Sequence, residues 1–352
     1  MHKSFNIFAA VTVTALALSL AVEPAKATPI EWVRVANPGN ANDTTGYGAV
    51  AYTFDIMKYE FTNTQYAEFL NAIDPQGINP QRVWEAEMSS SNQGGINQVP
   101  GNPLGSRYVV KTNFDDKPVN FMSSFSAARV ANWLQNGSPV SPTTTNASGT
   151  APQNTGVYAI GTGTSGNLPA KSAGAIYWIP LENEWYKAAY YNPTLNSGSG
   201  GYTTYGNGFS TTSGTVTASI TGVGSAGGIG NFANYGQAAN WNGTSLGAPT
   251  SVGTNGAANS YGAFDMSGNT FEFNTLTGGS STNAGVRGGS FAVGPPGFLS
   301  GTSRFEFSTS TIDNEFGFRL VAVPEPESLA LLATGGVAFA AGLIRRRRIA
   351  SA

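Results

Sequence analysis

The chain has no cysteine, and its one histidine is His2. Without thiols there can be no disulfide framework, thiolate metal site, cysteine nucleophile or redox pair. Beyond His2 there is no imidazole for a Ser-His triad, a zinc site or an iron facial triad. Charge is scarce too, since Asp, Glu, Lys and Arg make up 11% of the residues. The basic residues cluster only at Arg345–Arg348. The rest of the chain therefore lacks the grouped Lys and Arg that displace counterions from nucleic acid, and no nucleic-acid partner is expected.

The two ends are more informative. Lys3 precedes an apolar run from Phe8 to Val22, followed by the small-residue site Ala25-Lys26-Ala27. This order describes a secretory signal peptide over residues 1–27, with cleavage starting the mature chain at Thr28. At the other end Val323-Pro324-Glu325-Pro326 leads into the apolar segment Leu329–Ile344, closed by Arg345–Arg348. Its 16 residues fall short of the ~20 that span a bilayer comfortably, and the arginines should hold their end cytoplasmic. Pro-Glu-Pro, apolar transmembrane helix and arginine cluster in this order resemble the PEP-CTERM sorting signal, assigned to residues 323–352. That resemblance implies an exosortase-type sorting protease as partner. It also implies delivery to the cell surface or extracellular matrix of a Gram-negative-type bacterium, with membrane attachment only through the uncleaved tail.

Residues 28–322 form the body. Of 18 Lys and Arg, six lie in the two ends, leaving 12; of 20 Asp and Glu, Glu23, Glu325 and Glu327 do, leaving 17, a formal charge of −5. An exported chain without disulfides must hold its fold by core burial, hydrogen bonds or a bound metal. Gly, Ser, Thr and Asn dominate Gly137–Gly174 and Asn196–Gly230, which lack helical periodicity and read as long loops. Apolar spacing predicts helices over Thr62–Ile73, capped by Thr62 or Asn63, and Ser123–Leu134, capped by Ser124 or Ser126. A third helix is predicted over Glu182–Tyr190, entered through Pro180. Strand-like runs are Tyr52–Tyr59, Ala175–Ile179, Val286–Phe291 and Gly317–Val323. Helices early, strands late and abundant loops make an α+β body.

Six patches, in order, carry a resemblance. They are Ile56-Met57-Lys58-Tyr59-Glu60-Phe61-Thr62-Asn63 with Tyr66 and Phe69; Lys117-Pro118-Val119-Asn120-Phe121 with Ala127 to Trp133; and Ile179-Pro180-Leu181-Glu182-Asn183-Glu184-Trp185. The later three are Tyr261 through Asp265-Met266-Ser267-Gly268-Asn269-Thr270-Phe271-Glu272-Phe273, then Arg287-Gly288-Gly289-Ser290-Phe291, then Gly317-Phe318-Arg319. Together they resemble the sulfatase-modifying factor family, also called formylglycine-generating enzyme-like. The resemblance implies a C-type-lectin-like α+β fold, loop-rich with little regular secondary structure.

The oxidases of that family hold copper with two cysteines shortly after the Gly-Gly-Ser-Phe segment. Here those places fall near Val293 and Phe298. The related sulfoxide synthases use three histidines on iron, and no histidine survives signal cleavage. Neither copper nor iron is therefore expected, and no catalytic residue is assigned. The resemblance also implies calcium, with ligands carried over as the carboxylates of Asp265 and Glu272 and the carbonyls of Gly268 and Thr270. Calcium takes six to eight oxygens, so the mixture is chemically apt; the plainer reading is that Asp265 and Glu272 cap turns or face solvent. The family's second calcium site lacks its carboxylate beyond Asn234-Tyr235 and is not expected.

Other residues have structural readings. Glu182 and Glu184, two apart, point to different faces of a helix and are expected to be structural rather than paired acids. Arg287 and Arg319 are expected to tie down closing strands, and Asp313 and Glu315 to pair with Arg304 at the surface. Trp178 and Trp185 read as core, whereas Trp241, in an Asn-rich stretch, is the best candidate for a sugar-stacking platform. The expectation is an exported binding or structural protein without redox chemistry, its first partner an exopolysaccharide or surface glycan. The alternative is an enzyme of the same family that works in the old cleft without cysteine or histidine. A purely structural matrix component is the third possibility.

Overall fold

The computed structural model describes residues 28–139 and 151–324. The expected signal peptide over residues 1–27 and the sorting tail beyond Pro324, with its expected transmembrane helix, lie outside the described residues.

Four helices carry much of the packing: α1 (Asn63–Ile73), α2 (Ala86–Ser90), α3 (Ser124–Gln135) and α4 (Glu182–Tyr190). Helix α1 starts where the sequence predicts. The Thr62 hydroxyl accepts from Gln65 N–H, and the Gln65 side chain accepts from Thr62 N–H at 3.0 Å. This reciprocal box satisfies two orphan donors, and such a cap is typically worth about 1 kcal/mol. The apolar stripe of α1 buries Tyr66, Phe69, Leu70 and Ile73, and Phe69 meets Trp133 of α3 edge-on at 5.5 Å. Helix α3 is capped by Ser123, one residue before the earliest expected position, through a bond from Ser126 N–H. Helix α4 begins just after Pro180, and Glu184 reaches back to accept from Leu181 N–H at 2.7 Å.

Two four-stranded sheets frame the core. The first runs Trp32–Val35, Phe54–Met57, Val321–Ala322, Tyr177–Trp178, with every neighbour antiparallel. It brings the two ends of the described chain together, with Val321 paired between Ile56 and Trp178. The second runs Phe305–Ser308, Asn283–Arg287, Phe271–Asn274, Phe316–Gly317, and only its last pair is parallel. The main apolar core draws on residues from Val35 to Val321.

The expected strands are all shorter than predicted. Tyr52–Tyr59 contracts to Phe54–Met57, and Ala175–Ile179 to Tyr177–Trp178. Val286–Phe291 becomes Asn283–Arg287, because Gly288 and Gly289 take φ +93° and +79°. That left-handed backbone suits glycine and ends a ladder. Gly317–Val323 divides between the two sheets, with Phe318, Arg319 and Leu320 buried in the crossing. Much of Asn196–Gly230 is turns and short bridges, as its composition predicts.

Candidate functional site

The retained motifs converge on a buried charge cluster. Glu272 lies in the centre of the second sheet, opposite Arg287 on one side and Gly317 on the other. Gly317 sets Arg319 two residues further on, and the guanidinium returns to grip Glu272 in a fork. Nη2 donates to Oε1 and Nε to Oε2, both at 2.6 Å, and both side chains are 0% exposed. Trp185 of α4 adds Nε1–H to Oε2 at 2.7 Å. The remaining Arg319 donors reach the carbonyls of Met57 and Phe264 at 3.0 and 2.9 Å. The Arg319–Glu272 pair thus ties together both sheets, α4 and the loop before the Asp265 turn.

Glu60 and Asp265 stand beside this pair. Glu60 accepts from Thr270 N–H at 3.0 Å, from the Thr270 hydroxyl at 2.6 Å and from Asn269 Nδ2 at 2.7 Å. Asp265, itself at φ +57°, accepts from Gly253 N–H and from Asn255 Nδ2 at 3.0 Å. Burial, then repulsion from Asp265 and Glu272, holds the Glu60 carboxyl well above the usual carboxylate range. Burial also lifts Asp265 to about 6, against its backbone and Asn255 hydrogen bonds and the attraction of Arg319. Burial opposes the charge on Arg319, but Glu272, Glu60 and Asp265 together outweigh it and raise the guanidinium above its ordinary value.

Of the residues carried over for calcium, Asp265, Gly268, Thr270 and Glu272 are all buried together here. The carboxylate oxygens among them are already engaged. Both Glu272 oxygens serve Arg319 and Trp185, both Asp265 oxygens serve Gly253 and Asn255, and the Thr270 N–H and hydroxyl serve Glu60. Gly268 packs so closely that an added Cβ would stand 2.4 Å from the Asn234 carbonyl oxygen. Among the described residues no group of three or more His, Cys, Asp or Glu is arranged to hold a metal. A calcium ion needs six to eight oxygens, and a dication at Glu272 would face a guanidinium. Asn234 is buried with its Oδ1 unpartnered, while its carbonyl accepts from Asn269 N–H.

A second ion-pair group closes the sheet edge. Glu182, in the first turn of α4, accepts from Arg287 Nε at 2.8 Å and from Arg304 Nε at 2.7 Å. Arg304 also pairs with Glu306 at 2.6 Å, so its partners are Glu182 and Glu306 rather than Asp313 and Glu315. Glu315 instead accepts from Ser290, and the Asp313 carbonyl accepts from Phe121 N–H. Glu184 is consumed separately by Trp178 Nε1, Tyr52 and Leu181. The two glutamates therefore hold different elements and do not face a common reactant.

Val293 and Phe298, near which the resemblance places the family's two thiols, carry apolar side chains. Val293 and Phe298 pack against a small cluster of Tyr205, Ala233, Tyr235 and Leu299. Trp241 corrects the expectation of a sugar platform: it is 5% exposed, 4.8 Å from the Phe114 ring, under the Lys117 ammonium, and donates to the Pro249 carbonyl. Sequence reasoning missed Glu60, Asn269 and the pairing of Glu272 with Arg319. Glu60 lies in the first quoted motif, but nothing in its neighbours signals a contact 210 residues away.

A family model described as "Sulfatase-modifying factor enzyme 1-like domain" matches residues 39–323. A second, described as "PEP-CTERM protein-sorting motif", matches residues 322–348. No curated protein matches the chain. Similar solved structures include that of CarF, at 22% identity and TM-score 0.49, covering 84% of this chain and 99% of CarF. Another is Treponema denticola variable protein 1, at 18% identity and TM-score 0.48, covering 83% and 95%. A third is PvdO from Pseudomonas aeruginosa, at 16% identity and TM-score 0.39, covering 84% and 92%.

Proposed function

We propose, since the chain belongs to the sulfatase-modifying factor enzyme 1-like domain family and ends in a PEP-CTERM sorting motif, that it is a non-redox surface protein binding matrix polysaccharide. The sorting motif directs an exported chain to an exosortase-type system at the membrane of a Gram-negative bacterium. What the protein does after sorting is the proposal. The observation that carries it is the apolar setting of Val293 and Phe298. Neither side chain can ligate copper or exchange electrons, and both pack into the Tyr205–Tyr235–Leu299 cluster. With no cysteine in the chain and no histidine beyond His2, the family's redox routes have no residues to run on. What persists is the scaffold and its long polar loops. A scaffold kept without its chemistry suits display and binding, although a fold alone does not define a ligand.

The protein purified from the host that exports it should co-sediment saturably with that host's exopolysaccharide. Absence of saturable binding across a concentration series removes the binding role and leaves a structural one.

Calcium enters this reading through a separate test. An ion at Asp265, Gly268, Thr270 and Glu272 has to displace Arg319 and Trp185 from the Glu272 carboxylate. Arg319 already supplies positive charge there. Neither EDTA nor millimolar calcium is therefore expected to move Tm. A clear rise with calcium would establish the ion and make Arg319 its competitor.

A further inference from the structure

We infer that an open well between the turns 90–93 and 243–246 is a binding site for an uncharged sugar segment. The inference rests on the matrix-binding reading and narrows it to one place and one class of ligand. The well begins just after Trp241. The tryptophan itself is buried, and it is the turn following it that reaches solvent.

The first argument is the lining. Ser90, Asn92, Gln93, Thr244 and Ser245 supply only hydroxyl and amide groups, and no charged side chain lines the well. Among the described residues no partner is hydrogen-bonded to the Ser90 hydroxyl, the Asn92 amide or the Ser245 hydroxyl. Free groups that both donate and accept match the hydroxyls of a sugar, which do the same. Leu246, 61% exposed beside them, offers an apolar surface for the C–H face of a ring. The volume of about 390 Å³ falls within the ~300–1,000 Å³ common for small-molecule sites.

The second argument is rigidity. Lys111 Nζ donates to the carbonyls of Ser89, Ser91 and Gly94 at 2.9, 2.7 and 2.8 Å, which fixes the first turn from behind. Its charge is occupied there and does not line the well. Gln93 Nε2 donates to the Gly247 carbonyl at 2.7 Å, and Asn242 Nδ2 to the Asn92 carbonyl at 2.8 Å. These bonds clamp one wall to the other. Asn314 Nδ2 holds the Gln93 carbonyl oxygen Oε1 at 2.6 Å. The walls are therefore held before any ligand arrives, which lowers the ordering cost of binding. A charged polymer finds no counter-charge in the well, whereas a neutral one meets free donors and acceptors.

The test uses the host exopolysaccharide, separated by anion exchange into neutral and acidic fractions. The purified protein should bind the neutral fraction saturably and equally well in 1 M NaCl. Ser245→Trp, which fills the well from an exposed position, and Asn92→Ala should each weaken that binding at least tenfold without moving Tm. If both variants bind the neutral fraction as wild type does, the well is not the site while matrix binding stands. If only the acidic fraction is bound, and salt releases it, surface charge and not this well holds the polymer. If wild type binds neither fraction, the well and the matrix-binding reading fall together.

Discussion

Replacing Arg319 by alanine should destabilise the folded protein by about 3–5 kcal/mol, the range seen when one partner of a buried ion pair is removed. The cost comes less from lost attraction than from what remains. Glu272, 0% exposed, would keep only Trp185 Nε1 as a donor, and a buried carboxylate without its cation is expensive. The carbonyls of Met57 and Phe264 would lose their donors as well. Urea unfolding measures the effect. Lys58→Ala, which breaks the solvent-exposed pair with Glu31, should cost no more than about 1 kcal/mol. The double variant Glu272→Met/Arg319→Met should lose less than the two single replacements added together, because no charge is left buried. A loss below 1 kcal/mol for Arg319→Ala would show that this arginine does not bind the two sheets together.

The second large effect is a dependence on pH whose sign is opposite to that of paired surface carboxylates. Glu60 and Asp265 are held above their ordinary values in the folded state, mainly by burial. Burial shifts Glu85, Glu184 and Glu315 the same way. A carboxyl raised on folding binds its proton more tightly in the native state than in the unfolded one. Its contribution is greatest below the unfolded value and is lost as pH rises through the folded value. For Asp265, lifted from 3.8 to about 6, the window is roughly pH 4–6 and the change ~3 kcal/mol. Glu60 extends the window upward. The groups facing Asp265 are Glu60, Glu272 and Arg319, and the arginine is too basic to titrate there. The urea midpoint should therefore be higher at pH 5 than at pH 7.5. Asp265→Asn should flatten the slope between pH 4 and 6. A midpoint that climbs steadily from pH 5 to 7.5 would show that the cluster is ionised in the folded protein.

The two ion-pair groups show how far a one-dimensional reading reaches. That Glu182 and Glu184 serve structure was implied by the motif they resemble and supported by their spacing, since side chains two apart on a helix diverge. That Arg319 ties down a closing strand followed from its place in the Gly-Phe-Arg patch. The identity of its partner did not, because Glu272 is 47 residues away and could have been exposed, capping or metal-bound with the same neighbours. Asp313 and Glu315 lie close to Arg304 in sequence, yet Arg304 turns to Glu182, 122 residues distant. Trp241 looked exposed because its sequence neighbours are polar. In the fold, Phe114 and Lys117 cover it from another loop.

What the sequence determined by itself was set by local physics and by composition. Capping chemistry and apolar spacing placed α1 and α3, and the Pro180 entrance placed α4, to within a residue, because a helix satisfies its backbone within its own segment. The missing thiols and the lone His2 excluded any site built on cysteine thiols or on several histidines without any coordinates, since no fold can supply an absent side chain. Strand ends, partners of buried charges and the sugar-sized well were decided only by the tertiary structure. A strand ends where its neighbour's ladder ends, a carboxylate's state depends on which cation is buried against it, and a cavity exists only between segments far apart in the chain. The turns 90–93 and 243–246 are separated by about 150 residues and become two walls only because Gln93 and Asn242 bridge them.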